Sequence, residues 1–155
     1  MSSTNPKIQF HLHEVSFVFL QRKFLKQFII QLFKAEGKGL TSLSYIFCND
    51  EYLLKINKQY LQHDYFTDIV SFELSEDSRT EGEVYISIDR VKENAKQEKC
   101  NFKQELLRVI FHGALHLCGF RDKTPNESQM MRRKENFYLE KFFTAKQLDQ
   151  FHVKH

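Results

Sequence analysis

The hydrophobic patterning predicts an α+β fold, one small mixed sheet of about four strands covered by helices. Two observations carry this. Segments alternating at period two and segments with apolar residues three and four apart succeed one another as β-α-β-α-β-β-α-α-α. The chain has 155 residues, of which 41% are hydrophobic, with 16 Phe and 6 Tyr. That is enough for one core but not two, so a single domain is expected across residues 1–155.

Each element has a local reason. Ile8-Gln-Phe-His-Leu-His13 alternates, with Ile8, Phe10 and Leu12 on one face of a strand. Residues Val18 to Lys34 place Phe24, Leu25, Phe28, Ile29 and Leu32 at helical spacing, and Gly37 and Gly39 stop them. Ser42 to Cys48 is β-rich. Asn49 or Asp50 then caps a short helix carrying Tyr52, Leu53, Ile56 and Tyr60. Asp68 to Leu74 and Glu83 to Ile88 read as two strands of a hairpin, joined by a polar loop containing Gly82. Asp89 starts a helix with Val91 and Ala95. Asn101 caps the next, which runs from Phe102 to Leu117 and ends at Gly119. Thr124 or Asn126 opens a final helix through about Phe143.

Composition excludes several classes. Charged residues are 28% of the chain, with five Gly and two Pro, which argues against disorder or a collagen-like repeat. The apolar runs Phe17–Leu20 and Phe28–Ile30 fall far short of the roughly 18 residues a membrane span needs, so no membrane partner is expected. The first residues, Met1-Ser-Ser-Thr-Asn-Pro6, have no signal-peptide pattern. Cys48, Cys100 and Cys118 are too scattered for a disulfide framework. A cytoplasmic location is the expectation. The net charge of +3 permits nucleic acid but does not require it. Arg132-Arg133-Lys134, followed at once by Glu135, reads as an exposed helical face.

The chemistry concentrates in Phe111-His-Gly-Ala-Leu-His-Leu-Cys-Gly-Phe-Arg-Asp122. Four residues of helix turn the chain by about 400°, so His112 and His116 share a face about 6 Å apart along the axis. Two imidazoles so placed can reach one ion. Gly119 suits a left-handed stop that turns the chain back and returns Asp122 to the same ion. Two nitrogens and a carboxylate leave a position open, as a catalytic site requires. A bare His-x-x-x-His also occurs in cores and on surfaces. Here the histidines border an apolar stripe of Leu106, Val109, Ile110, Gly113 and Leu117, which favours the metal reading. Cys118 points to the other side of the helix and reads as a small buried hydrophobe.

His112-Gly-Ala-Leu-His116-Leu-Cys-Gly119-Phe resembles the signature of the YbeY family of bacterial ribosomal RNA maturation factors. Ile56-Asn-Lys-Gln-Tyr60 and Thr67-Asp-Ile-Val-Ser-Phe72 are similar to that family's Leu-Asn-x-x-Tyr and Thr-Asp-Val-Leu-Ser-Phe. Gly82-Glu-Val-Tyr-Ile-Ser87 resembles its Gly-Asp-Ile-x-Ile-Ser strand, and Glu105 matches a Glu at the start of its metal helix. The matches keep their order over about residues 50 to 140. The resemblance implies a zincin-like metal-bearing helix and a single-strand-specific, metal-dependent endoribonuclease acting in 16S rRNA processing, ribosome maturation and quality control. It implies as partners the 16S rRNA precursor, the small ribosomal subunit and the GTPase Era. One divalent ion is implied: zinc in the first place, with Mn²⁺ or another harder ion admitted by the carboxylate of Asp122.

Two positions depart from the family pattern. The third histidine of its His-x3-His-x5-His is Asp122 here, and the Arg that follows the Tyr of its first motif is Leu61. The family's Arg is associated with phosphate binding or catalysis, so Arg121 or Lys123 is expected to supply the missing cation. Asp68 and Ser71 are expected to line the cleft, and Glu105 to support the site from outside the ligand shell. Two rivals stand beside the nuclease. A zinc peptidase would need Glu directly after the first histidine, where Gly113 stands. A non-catalytic ribosome-assembly factor with a structural ion is kept open by Leu61.

Overall fold

The computed structural model describes residues 5–19, 21–62, 67–75 and 77–153, with side-chain surroundings given as far as 146. Four strands, β1 (Lys7–Leu12), β2 (Leu40–Cys48), β3 (Ile69–Glu73) and β4 (Thr80–Ser87), form one sheet in the order β1-β2-β4-β3. β1, β2 and β4 are parallel, and β3 closes the hairpin antiparallel to β4. Among the described residues five helices accompany them: α1 (Arg22–Ala35), α2 (Asp50–Leu61), α3 (Ile88–Glu98), α4 (Phe102–Leu117) and α5 (Pro125–Val153). The predicted α+β order therefore holds element by element.

Period-two alternation gives the sheet two faces of unequal weight. Leu43, Tyr45 and Phe47 of β2 and Val84 and Ile86 of β4 join Ile29 and Phe33 of α1, Ile110 and Leu115 of α4, and Leu139 and Phe142 of α5 in the main core. A smaller cluster of Cys48, Leu53, Ile56 and Val70 seals α2 against the rest. The hydroxyl that Tyr45 carries into the main core is satisfied, donating to the carbonyl of Ile110 at 2.8 Å.

α4 is the centre of the molecule. Beyond the predicted stripe it also buries Leu107, Phe111, Ala114 and Leu115, so apolar contact wraps most of its circumference. It approaches the sheet closely because two glycines permit it. A Cβ on Gly113 would lie 2.8 Å from Val84 Cγ1 and 3.0 Å from Ile69 Cδ1, and one on Gly82 would lie 2.9 Å from Leu117 Cδ1. This contact brings His112 and His116 to the β3 side of the sheet.

Several boundaries differ from the sequence reading. α1 starts at Arg22 and not Val18, because Gln21 takes a left-handed φ of 56° and Phe17 and Phe19 instead pack in a non-helical stretch against Phe47. Leu20 lies outside the described residues. Gly82 is inside β4 and not in the hairpin loop; its lack of a side chain serves helix contact and not a turn. Ile88 opens α3, capped by Ser87 Oγ accepting from the Arg90 N–H, so Asp89 sits in the first turn. α5 continues past Phe143 to Val153. The basic run on α5 is not uniformly exposed: Lys134 pairs with Glu36 at 2.9 Å and Glu135 is 5% exposed.

Candidate metal centre

Over its last two turns α4 is buried except at two residues: the His112 and His116 side chains are 18% and 26% exposed. Their rings lie 4.5 Å apart and nearly perpendicular. The helix then ends in a Schellman arrangement, with Gly119 N–H donating to His116 O and Phe120 N–H to Leu115 O. Gly119 has φ +107°, a conformation that a side chain disfavours. The reversal carries Asp122 back over the helix end. Its Oδ2 comes 3.2 Å from His112 Nε2 and 3.3 Å from His116 Nε2. The turn is pinned by a capping box: Glu127 accepts from the Lys123 and Thr124 N–H groups, and Thr124 Oγ1 accepts from the Glu127 N–H.

The far side of each imidazole fixes its tautomer. His112 Nδ1 faces Glu135 Oε2 at 2.6 Å, and His116 Nδ1 faces the Phe120 carbonyl at 2.9 Å. A carbonyl and a carboxylate only accept, so both Nδ1 atoms carry a proton, and each ring in its neutral form presents the Nε2 lone pair inward. With neutral rings, three acceptors then converge on one point, a repulsive arrangement unless a cation stands between them. The spacing suits one: two donors each about 2.0–2.1 Å from a tetrahedral ion stand about 3.3 Å apart. Among the described residues no other trio of His, Cys, Asp or Glu converges in this way. Burial alone would lower the pKa of His112, but the Glu135 hydrogen bond and the charges of Glu135, Asp122 and Asp68 outweigh it and raise the value.

This trio opens on a cleft of about 770 Å³ whose walls include Asn57, Leu61, Asp68, Ser71, Glu73 and Lys123. Asp68 and His112 also face a smaller polar cavity of about 290 Å³, which holds Glu105, Arg108 and Glu135. Asp68 accepts from Asn94 Nδ2 at 3.2 Å, and burial pushes its carboxyl above the usual range. Ser71 and Asp68 thus lie where the sequence places them. Arg121 does not: it is exposed, and the wall of the cleft at that turn is Asp122 and Lys123. Glu105 is buried beside Arg108 at 3.4 Å, away from the cleft. Cys118 is half-buried against the core, and burial, with the charge of Glu36, pushes its thiol up to about 12, which suits a packing role.

Glu135 is the residue that sequence reasoning missed. Its signal was present: Met131, Tyr138, Leu139 and Phe142 mark the buried stripe of α5, and Glu135 is the one acid at that spacing. The basic run beside it suggested a solvated face instead.

Comparison with known proteins gives the chain a family. A sequence model of the family described as Endoribonuclease YbeY matches residues 7–143, most of the chain. The chain belongs to the YbeY family. A YbeY endoribonuclease of Cytophaga hutchinsonii is 45% identical over 133 residues, 85% of this chain and 93% of the relative. One from Christiangramia forsetii is 46% identical over 122 residues, 79% and 85% of the two chains. The solution structure of a Thermotoga maritima protein superposes with a TM-score of 0.58 at 28% identity, covering 92% of this chain and 93% of that one.

Proposed function

We propose that this YbeY-family chain is a single-domain, metal-dependent endoribonuclease that cuts single-stranded RNA in 16S rRNA processing, with His112, His116 and Asp122 as the ligands of one divalent ion. The observation that carries the reading is the convergence of three lone-pair donors at 3.2 and 3.3 Å on the floor of an open cleft. The names of the relatives, YbeY endoribonucleases over most of their length, support the substrate class. A bound ion would supply Lewis acidity toward a phosphoryl oxygen and an activated water.

The protein's own groups do the rest. Lys123, on the turn fixed by Glu127, offers the cation for a phosphate that Leu61, 38% exposed in the same cleft, cannot offer. Asp68, with its raised carboxyl in the cleft wall, is placed to hold or pass a proton. Zinc is the ion we favour, and the hard carboxylate of Asp122 extends the range toward Mn²⁺. A cytoplasmic location, the small ribosomal subunit and the GTPase Era complete the proposal by family analogy. Among the described residues no helix is long and apolar enough to cross a membrane.

The peptidase rival loses its base on steric grounds. The position after His112 is pressed against Val84, which leaves no room for the Glu that peptide hydrolysis would need. A non-catalytic assembly role remains the second reading, favoured by Leu61. Incubating purified protein with single-stranded RNA, with and without chelator, separates the two. Cleavage that needs the ion and disappears in His116→Ala supports the nuclease; an ion-loaded protein that never cleaves while still supporting subunit assembly overturns it.

A further inference from the structure

The two histidines are not supported alike. His116 donates through Nδ1 to a neutral backbone carbonyl, whereas His112 donates to Glu135, a carboxylate 5% exposed on a different helix. Glu135 is itself held from behind. Its Oε1 accepts from Arg108 Nη1 at 3.2 Å, and Arg108 also donates to Asn136 Oδ1 at 3.0 Å and lies 3.4 Å from Glu105. Arg108 sits one turn before His112 on α4, so one guanidinium and one imidazole of α4 grip the two oxygens of a single α5 carboxylate.

We propose that Glu135 is a positioning residue for the metal centre: it fixes the tautomer and tilt of His112 and makes its Nε2 the stronger of the two nitrogen donors. The inference rests on the proposed metal site and adds to it a residue on α5. The physical reason is charge. A carboxylate accepting the Nδ1 proton draws it outward and leaves more electron density at Nε2 than a carbonyl does. Arg108 holds the other oxygen of that buried carboxylate, Nη1 to Oε1 at 3.2 Å, and so sets its orientation toward His112. His112 therefore cannot turn its Nδ1 toward the cleft without taking from the buried Glu135 the donor that faces its Oε2, a costly alternative. Among the described residues His116 Nδ1 is held by one peptide carbonyl, that of Phe120.

The test compares Glu135→Gln with the unmodified chain by zinc titration against a competing chelator, alongside the thermal stability of both metal-free proteins. The amide keeps the shape of the side chain but loses its charge. Zinc affinity should fall roughly 10–100-fold, the range for groups that orient a ligand. A purely structural carboxylate would lower metal-free stability and leave the affinity of the folded protein unchanged, and that result overturns the proposal. Nitrogen-15 NMR of the imidazoles in the unmodified protein gives a second measurement that does not depend on the variant folding. His112 should carry its proton on Nδ1 with and without zinc, and a metal-free His112 protonated on Nε2 alone would overturn the idea. Unmodified protein that takes up no zinc would sink the metal reading and this proposal together. Tight zinc binding by the unmodified chain with equal binding by Glu135→Gln would sink only this one.

Discussion

The candidate centre draws two ligands from α4 and one from the turn beyond it, and the two halves are built differently. His112 and His116 stand on a helix buried on nearly every side, so their backbone cannot move without disturbing the main core. Asp122 lies on a turn whose residues are mostly exposed, its side chain 37% accessible, held by a Schellman stop on one side and a capping box on the other. Packing thus fixes one half of the site and hydrogen bonds fix the other. The rigid half should decide whether an ion binds, and the hydrogen-bonded half should tune which ion and how tightly.

The largest effect belongs to the helix half. His116→Ala should abolish stoichiometric zinc binding, because the ion loses a nitrogen donor that no neighbouring group can replace. Fold should persist, since His116 is partly exposed and its imidazole contributes little to the core. Elemental analysis after gel filtration is the check; a folded variant retaining one ion per chain would contradict the assignment.

Asp122 comes next. Asp122→Asn preserves most of the turn's hydrogen-bonding capacity but removes the charge, so affinity should drop while stability barely changes. Asp122→His should keep the ion and shift preference toward zinc over harder metals, since imidazole is the softer donor. Titrating zinc and manganese into the three proteins gives the comparison. Unchanged affinity in the Asn variant would leave Asp122 as a turn residue and reduce the centre to two histidines.

A pH series sharpens the contrast further. In the metal-free protein the raised pKa of His112 means the folded chain binds its proton more tightly than the unfolded chain. That stabilisation is fully present below the ordinary histidine value near 6.5 and is lost as pH climbs through the raised folded value. Metal needs the neutral ring, so its contribution has the opposite slope. The gap in melting temperature between zinc-loaded and metal-free protein should widen as pH rises through that window. A constant gap from about pH 5 to 8 would mean that His112 does not bind the ion.

Legibility in the sequence followed the same division. Packing signals were plain: the helical spacing of α4 and the Asn101 cap gave its bounds as Phe102–Leu117, and Gly119 marked the reversal. Where one residue type serves two physical ends, the pattern misled. Gly82 signals a turn, yet here it lets Leu117 sit on the strand. Val18 and Phe19 extend an apolar period, yet the left-handed backbone at Gln21 breaks the helix before it can include them. Glu135 looked like the end of a basic run because its partner, His112, is 23 residues away and only the tertiary fold joins them. The candidate ligands were legible because their spacing is local; the groups behind them were not, since those contacts cross between helices.

The smallest effect should come from the capping box that holds the loop half. Thr124 Oγ1 accepts from the Glu127 N–H at 3.1 Å, while Glu127 accepts from Lys123 and Thr124 and so ties the residue next to Asp122 to the first turn of α5. Removing a Thr cap costs about 1 kcal/mol. If that energy serves only to preorganise Asp122, its loss should weaken zinc binding by no more than a factor of about five to ten. Thr124→Ala should therefore bind zinc a few-fold less tightly, and Thr124→Ser, which keeps the hydroxyl, should restore it. Lys123, proposed as the cation for phosphate, sits on the same turn, so the Ala variant should also raise KM for RNA slightly while leaving kcat nearly intact. Helix α5 is long and anchored by Met131, Tyr138 and Phe142, so fraying at its first turn should not propagate to Glu135. A Thr124→Ala protein that lost zinc as completely as His116→Ala would mean the turn does more than tune, and the division between a rigid half and an adjustable half would fail.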